Sequence, residues 1–454
     1  MRKLFFIVLA LLVFQSGYTQ SKLQANMFLR TFTNGLDVLV IEDNSVPLAT
    51  IEITVKNGSY TEPPEFNGLS HLYEHMFFKA NKDYPSQELF LDRVSELGMN
   101  FNGSTSEEKV NYYFTLPKFN LNEGLKFMNS AIRYPTFNAE EMKKENIVVD
   151  GEFQRQESNP FFALNNEMDR RLWGNLYSRK NGIGDHDVIR NATPAQMDSI
   201  KNKYYWPNNS MLTIAGDVDH NSVFQQVQAI YGDWKASPFD PFKKWPIPEF
   251  KPLQKTDYFV AESKLANVPI FMISWQGPDT RTNLPATYAA DVFSFILNQN
   301  ASKLSQSLID AGLALQFDLS YLTLKHVGPI SFVVVPNPSK IKECFAEMKR
   351  QIALWDTDDY VTDEQIEIAK RKLDIRMIEE QEITSDFVQT LSFWWASASL
   401  DYFTTYGENL RKVKKADMQA YVRQYIKNKP FAAGLLINPG MRGQIKPEEF
   451  FKAN

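Results

Sequence analysis

Alternating hydrophobic and polar residues predict β structure at several places along the chain. Residues 36–42 (LDVLVIE) and 49–56 (ATIEITVK) both alternate, and polar residues with a proline separate them, so the pattern predicts a β-hairpin. Residues 99–116 alternate on both sides of a polar turn and predict a second strand pair. Residues 211–216 (MLTIAG) are an unbroken apolar run, as in a short buried strand.

Two helices are predicted between these strands. The first covers residues 138–157, where Asn138 with Glu141 three positions later resembles a capping pair at a helix start. The other lies in residues 68–79 (GLSHLYEHMFFK), where one face is apolar and Asn67 and Gly68 can start the helix. The residues of that apolar face are Leu69, Leu72, Tyr73 and Met76.

The chain divides into two similar halves. Residues 236–252 hold five prolines and no period, as in a linker. Ala195, Met197 and Tyr204, which precede the apolar run 211–216, are echoed 221 positions later (416 − 195 for the alanines) before another apolar run. We therefore predict an α+β protein of two related α/β domains: a signal peptide at 1–19, a first domain at 20–236, a linker at 237–252 and a second domain at 253–454.

Composition narrows the function classes. The formal charge of −5 disfavours nucleic-acid binding, which needs clustered basic residues. Cys344 is the single cysteine, so an intrachain disulfide and a cysteine-based zinc cage are both excluded. Arg2 and Lys3 precede an apolar run over 4–14 that is too short to span a bilayer, and the segment is typical of a cleaved secretory signal. We expect an exported, periplasmic and soluble mature protein.

The predicted helix at 68–79 carries the candidate chemistry. His71 and His75 would lie one turn apart on one face, with their Cα atoms about 6 Å apart, so both rings can reach one zinc ion. Glu74 borders the same face, where a carboxylate can take a proton from a water whose pKa zinc lowers to about 7. The chain has only five histidines, so this pentapeptide is unlikely to arise by chance.

A third ligand must come from elsewhere in the chain. His186, His220 and His326 lie in segments where turn or surface histidines are more common than ligands. The predicted helix at 138–157 offers carboxylates on one face, and one of them can bind the metal while another orients a histidine. Spacing alone leaves three candidates open: Glu145, Glu152 and Glu157.

The combined pattern resembles the pitrilysin/insulinase family of metallopeptidases, which includes the mitochondrial processing peptidase. The family motif is an inverted His-x-x-Glu-His followed about seventy residues later by two glutamates seven apart, as in this chain. The resemblance implies one Zn²⁺ per chain with ligands His71, His75 and Glu152, Glu74 as general base, and Glu145 supporting a ligand. It also implies an edge strand for peptide substrate at Phe101, Asn102, Gly103 and Ser104.

The resemblance further implies fold and partners. The family fold is two related α/β domains that form half of a clamshell, and the length here matches the bacterial members that are similar to the processing peptidase and dimerise. Active members hold substrate with an Arg and a Tyr, but Leu315 stands at the tyrosine position and no Arg precedes Gly312. We therefore expect the zinc-bearing subunit of a heterodimer that cuts unfolded peptides, with a homodimer as the alternative. A non-catalytic assembly or peptide-binding subunit is the competing function.

Overall fold

The structure, a computed structural model, describes residues 23–451, and the predicted signal peptide at 1–19 lies outside them. The first half contains a six-stranded sheet with the order β1-β2-β6-β3-β5-β4. Its strands are β1 (Met27–Thr31), β2 (Asp37–Glu42), β3 (Leu48–Val55), β4 (Asn100–Thr105), β5 (Val110–Pro117) and β6 (Ser210–Gly216). Its helices are α1 (Leu69–Phe77), α2 (Gln87–Glu96), α3 (Leu121–Arg133), α4 (Ala139–Glu157), α5 (Phe161–Trp173), α6 (His186–Arg190), α7 (Pro194–Tyr204), α8 (His220–Tyr231) and α9 (Pro241–Lys244).

The second half contains a five-stranded sheet with the order β7-β11-β8-β10-β9. Its strands are β7 (Asp257–Glu262), β8 (Ile270–Gln276), β9 (Ala314–Tyr321), β10 (Pro329–Pro336) and β11 (Ala432–Ile437). Its helices are α10 (Leu284–Leu297), α11 (Lys303–Ser305), which continues into a π-helical turn (Gln306–Asp310), α12 (Ile341–Leu354), α13 (Asp363–Glu379), α14 (Thr384–Ser397), α15 (Leu400–Thr404), α16 (Tyr406–Lys412), α17 (Lys415–Tyr425), α18 (Arg442–Ile445) and α19 (Pro447–Phe451).

The two sheets have one topology, which confirms the predicted α+β fold of two related domains. Strands β2-β6-β3-β5-β4 of the first sheet correspond in order to β7-β11-β8-β10-β9 of the second, and β1 is added at one edge. The parallel pair β2–β6 is matched by the parallel pair β7–β11. The repeated Ala-x-Met…Tyr segments form α7 and α17, which lead into β6 and β11 as the pattern predicted.

The predicted hairpin at the start of the chain is wrong in its pairing. Both strands form, but β6 lies between them, parallel to β2 and antiparallel to β3. The five residues 43–47 are long enough to pass over one strand, since two strand spacings are about 10 Å. Backbone hydrogen bonds from Asp43 to Gly216 and from Asp217 to Leu48 tie this crossing to the end of β6. The predicted pair within 99–116 does form, as β4 and β5.

The halves exchange one helix each. α5, from the first half, packs on β7, β8 and β11 of the second sheet, and α14, from the second half, packs on β3, β5 and β6 of the first sheet. At the first contact a Cβ added to Gly434 would lie 2.4 Å from the Phe259 ring and 2.6 Å from Leu164 of α5, so a larger residue here would push these side chains aside. Each half therefore completes the core of the other.

Over residues 23–451, the helices fall short of the combined length and apolarity that a bilayer crossing requires.

Candidate metal centre

Helix α1 is fixed at its start by a buried carboxylate. Gly68 adopts φ +91° before the helix, and an added Cβ there would lie 2.7 Å from the Cα of Gly184. The backbone N–H groups of Gly68 and Ser70 donate to the two oxygens of Glu62, at 2.7 and 2.6 Å. Burial raises the pKa of Glu62 to about 7, although these N–H groups oppose the shift. A carboxylate at a helix N-terminus accepts hydrogen bonds from the free N–H groups there and interacts favourably with the helix dipole.

The apolar face of α1 holds the helix against the first sheet. Leu72, Tyr73 and Met76 are fully buried, and Phe77 stacks on Tyr112 of β5 with ring centroids 3.7 Å apart. The opposite face, with His71, Glu74 and His75, is only partly buried. Packing of the apolar face therefore fixes where the two imidazoles point.

Helix α4 brings a carboxylate to these imidazoles. Its N-cap is Asn138, as predicted, and the Asn138 side chain accepts hydrogen bonds from the backbone N–H groups of Glu140 and Glu141. Asp150 binds His186 and Arg190 of α6, which anchors the middle of α4. This leaves Glu152 on the face toward α1.

Three metal-ligating atoms converge between α1 and α4. The Nε2 atoms of His71 and His75 are 3.3 Å apart, and the Glu152 Oε2 is 3.6 Å from the first and 3.7 Å from the second. Ligands of a tetrahedral zinc ion with bonds of roughly 2.0–2.1 Å are about 3.3–3.4 Å apart. The spacing of these three atoms therefore fits a zinc ion held among them.

The pKa values of the two histidines shift in opposite directions. Burial, with His75 nearby, lowers the pKa of His71 to about 4, so its ring is neutral at pH 7 and its lone pair is available. Burial also disfavours charge on His75, but Glu145, Glu152 and Glu74 outweigh it and raise its pKa.

Glu145 supports His75 from behind. Its Oε1 is 2.8 Å from His75 Nδ1, and its Oε2 is 2.6 Å from Lys79 Nζ. Burial alone would raise the pKa of Glu145, but the His75 and Lys79 contacts outweigh it and lower the pKa. A carboxylate on Nδ1 fixes the tautomer that leaves Nε2 free for a metal.

Glu74 lies beside this cluster and against the edge of the sheet. Its Oε2 accepts a hydrogen bond from Thr105 Oγ1 at 2.7 Å. Burial raises its pKa despite that bond. A Cβ added to Gly103 would stand 2.9 Å from Glu74 Cγ, so the backbone of β4 passes directly next to this carboxylate. A carboxylate with a raised pKa is suited to proton transfer near neutral pH.

The predicted substrate strand is an edge. Phe101, Asn102, Gly103 and Ser104 lie in β4, the last strand of the first sheet, which within residues 23–451 is paired only with β5. Its other backbone edge is available for another strand. Leu315 lies on β9, which is the corresponding edge of the second sheet, and 59% of its surface is exposed.

Other candidate residues lie apart from the cluster. Glu157 is bound to His186 Nε2 at 3.2 Å, and His326 is buried against Tyr60. His220 forms a second group with Glu42 and Asp219 that could hold a metal. However, Glu42 already accepts from the His220 ring and backbone, and Asp219 caps α8. Protein groups therefore satisfy these oxygens.

Sequence reasoning missed three residues that shape the site. Lys79 follows His75 by one helical turn, so its position on the same face was available from the spacing. Thr105 shares a strand face with Phe101 and Gly103 by the period of two, which was also available. Glu62 has no sequence signal, since it lies in a loop and acts through its fold contacts.

Comparison with known proteins agrees with the fold and the family resemblance. Residues 37–177 match the family described as Insulinase (Peptidase family M16), and residues 191–373 match the Peptidase M16 inactive domain. These two models of one family together match well over half of the chain. The chain therefore belongs to peptidase family M16, the insulinase family, as the sequence resemblance indicated.

Individual relatives carry protease names. The chain is 26% identical over 206 residues to "Uncharacterized zinc protease YmxG" of Bacillus subtilis, over 45% of this chain and 50% of that protein. It therefore spans about half the length of curated relatives such as this one. A second relative, "Probable zinc protease PqqL" of Haemophilus influenzae, is 29% identical over 201 residues, which are 42% of this chain and 21% of that protein.

A solved structure shares the fold over nearly its whole length. A protease from Helicobacter pylori superposes with a TM-score of 0.79 at 21% identity, over 90% of this chain and 99% of that one. At this identity the likeness concerns the fold, and it agrees with half of a clamshell made from two related domains.

Proposed function

We propose that this chain is a zinc-dependent peptidase that hydrolyses unfolded peptides. The observation that carries the proposal is the convergence of His71, His75 and Glu152 on one point beside Glu74 and the free edge of β4. The protease names of relatives support the reaction class. The active site would then lie between α1, α4 and the edge of the first sheet.

In this proposal His71, His75 and Glu152 hold one zinc ion, and Glu145 holds His75 in the required tautomer. When bound, zinc lowers the pKa of water toward 7 and polarises a peptide carbonyl. Glu74 accepts the proton of the attacking water and later delivers it to the leaving amine. Thr105 holds the Oε2 of Glu74, which leaves Oε1 to face the water.

The edge of β4 positions the peptide. A substrate that adds as a further strand beside Phe101–Ser104 gains main-chain hydrogen bonds with little dependence on its sequence. Because Gly103 touches Glu74, the scissile bond of such a strand would pass next to the base. An extended segment is needed for this pairing, so folded proteins are poor substrates.

The test compares tagged wild-type protein with Glu74→Gln, both isolated from the native cell so that any partner subunit accompanies them. Wild-type isolates should cleave a quenched fluorescent peptide mixture, and a zinc chelator should stop the reaction. Glu74→Gln should keep its zinc and lose roughly 10²–10⁴ of the rate. Equal cleavage by the two isolates would refute the role of Glu74 and favour a non-catalytic peptide-binding subunit.

We further propose that the active form is a dimer with a homologous subunit that supplies the Arg and Tyr that family members use. Leu315 on the exposed edge β9 supports this, because its side chain lacks a hydroxyl that could hold a substrate carbonyl. The chain purified alone should then cleave slowly, and a homologue found by mass spectrometry in the native isolate should restore the rate. Full activity of the isolated homodimer would contradict this subunit division.

We also propose export to the periplasm, on the strength of the apolar segment within 1–19. Mass spectrometry of the protein from cell fractions should find it in the periplasmic fraction without that segment. A full-length protein confined to the cytoplasm would contradict export.

A further inference from the structure

The second half contains a cavity at the place that corresponds to the metal centre of the first half. α10 follows β8 as α1 follows β3, and each of these helices contacts the edge strand of its sheet and the long helix α13 or α4. The cavity lies between α10, β9, α13 and α14 and has a volume of about 580 Å³. Ligand sites in proteins commonly have volumes of about 300–1,000 Å³.

At the positions that correspond to the metal centre of the first half, this cavity has different residues. On α10, Asp291, Ser294 and Phe295 line it with the same spacing as His71, Glu74 and His75 on α1. A metal site with histidine ligands is therefore absent from this cavity, among the residues that line it. One carboxylate and an aromatic ring remain on the face where α1 carries its ligands.

Acidic groups outnumber basic ones around the cavity. Asp291, Asp318 and Glu380 line it, with Arg376 as the single basic residue of the lining. Arg376 lies one turn from Glu380 on α13 and lowers its pKa, although burial raises that pKa overall. The lining therefore holds three carboxyl groups against one guanidinium.

Aromatic rings supply the rest of the wall. Tyr321, Phe393, Trp394 and Tyr406 line the cavity and are half-buried. The hydroxyl of Tyr406 donates to Asp291 at 2.6 Å, and that of Tyr321 donates to the Pro278 carbonyl at 3.1 Å. Both hydroxyls therefore already have partners within the protein, and that of Tyr406 lies at the Asp291 carboxylate.

A buried polar group without a partner points to a ligand. Ser294 is 8% exposed, and its hydroxyl, which can accept a hydrogen bond, lacks a hydrogen-bond partner within residues 23–451. Buried polar groups are nearly always satisfied, by protein, water or ligand. Burial raises the pKa of Asp291 to about 7, a cost that a neighbouring cation would offset.

We propose that this cavity is a second binding site, which takes an alkylammonium or guanidinium group between the Asp291 carboxylate and the aromatic wall. Carboxylates with aromatic faces recognise such cations through ion pairing and cation–π attraction. Two sources carry this chemistry, a basic side chain of a peptide and a free organic cation. The inference goes beyond the proposed hydrolysis and does not depend on zinc.

The test measures binding in the Glu74→Gln background, so that the peptide persists. The probe is fluorescein-labelled Ala-Ala-Arg-Ala-Ala-amide, and its twin carries neutral citrulline in place of arginine. Fluorescence anisotropy should show the arginine peptide binding about tenfold or more tightly than the citrulline peptide. Equal binding of the two peptides would overturn the proposal.

Variants locate the binding. Asp291→Asn should weaken binding of the arginine peptide about tenfold, and Glu380→Gln should weaken it severalfold. Glu379→Gln is the matched control, since Glu379 neighbours Glu380 on α13 but does not line the cavity, and its affinity should equal that of the parent. Unchanged binding in Asp291→Asn, with its fold intact by circular dichroism, would overturn the assignment.

Competition by agmatine separates the two sources. Displacement of the peptide by agmatine at a concentration near the peptide Kd would assign the site to free organic cations. A requirement for more than ten times that concentration would assign it to basic peptide side chains. Failure of agmatine to displace the peptide at any concentration would overturn the cation site and leave the zinc proposal untouched.

Discussion

Replacing Glu145 with Gln tests how the metal centre is built. In the structure Glu145 bridges His75 Nδ1 and Lys79 Nζ, at 2.8 and 2.6 Å, and its side chain is only 8% exposed. The amide keeps the shape but removes the charge. It leaves the Lys79 ammonium without an anionic partner. It also weakens the hydrogen bond that favours the His75 tautomer with its proton on Nδ1.

The magnitudes follow from these two contacts. Loss of a carboxylate behind a metal-binding histidine typically costs 10–100-fold in metal affinity, which is about 1.4–2.7 kcal/mol. In the metal-free protein, the partly buried Lys79 without its partner should cost about 1–3 kcal/mol of unfolding free energy. Adding Lys79→Met should recover most of the stability but none of the zinc affinity. Methionine removes the unpaired positive charge, but it does not restore the carboxylate behind His75.

Two assays separate these effects. Competition with a chromophoric chelator gives the zinc Kd, and urea unfolding of the metal-free protein gives the stability. Glu141→Gln is the control on the same helix, since Glu141 pairs only with Lys144 at the surface. Its zinc Kd should not change, and its stability should change by less than about 0.5 kcal/mol. A Glu145→Gln protein with wild-type zinc affinity would refute this account of Glu145.

Two further predictions concern the base and a buried carboxyl group on α5. Thr105→Val keeps the shape of β4 but removes the hydrogen bond to Glu74. Peptide cleavage should therefore slow about tenfold, and the zinc content should not change. An unchanged cleavage rate would contradict the role of Thr105. Burial, with Glu107 adding to it, raises the pKa of Asp169 on α5 to about 7, from 3.8. The folded state therefore holds this proton more tightly than the unfolded state, and stability is lost as pH rises through 7. Compared with Asp169→Asn, wild-type protein should lose roughly 3 kcal/mol of unfolding free energy between pH 5 and pH 8 in urea titrations, and parallel curves would contradict the shift.

The elements were more predictable than their arrangement. Alternation located β2 and β3, but a pattern of period two says nothing about which strand is the neighbour, and β6, more than 150 residues later, lies between them. The helix exchange between the halves was likewise invisible, because α5 and α14 present apolar faces that do not reveal which sheet covers them. The duplication was visible because it kept residues at a fixed offset.

The site was predictable in its motif and less so in its details. Spacing could not rank Glu145, Glu152 and Glu157: the first two are seven residues apart and share a face of α4, and Glu157 follows at the end of the same helix. The structure separates them by their contacts: Glu152 faces both Nε2 atoms, Glu145 faces His75 Nδ1, and Glu157 faces His186. These contacts depend on how α4 crosses α1, which a single sequence does not specify. Their roles at the metal stay predictions until metal binding is measured.

Anomalous scattering from crystals of the zinc-loaded protein, measured above and below the zinc absorption edge, tests the central claim most directly. The account predicts one strong peak within about 2 Å of the His71 Nε2, the His75 Nε2 and a Glu152 oxygen. The same peak should be absent from crystals of His71→Ala. A strong peak at Glu42, Asp219 and His220 instead, or none at the His71 site, would contradict the proposed zinc centre.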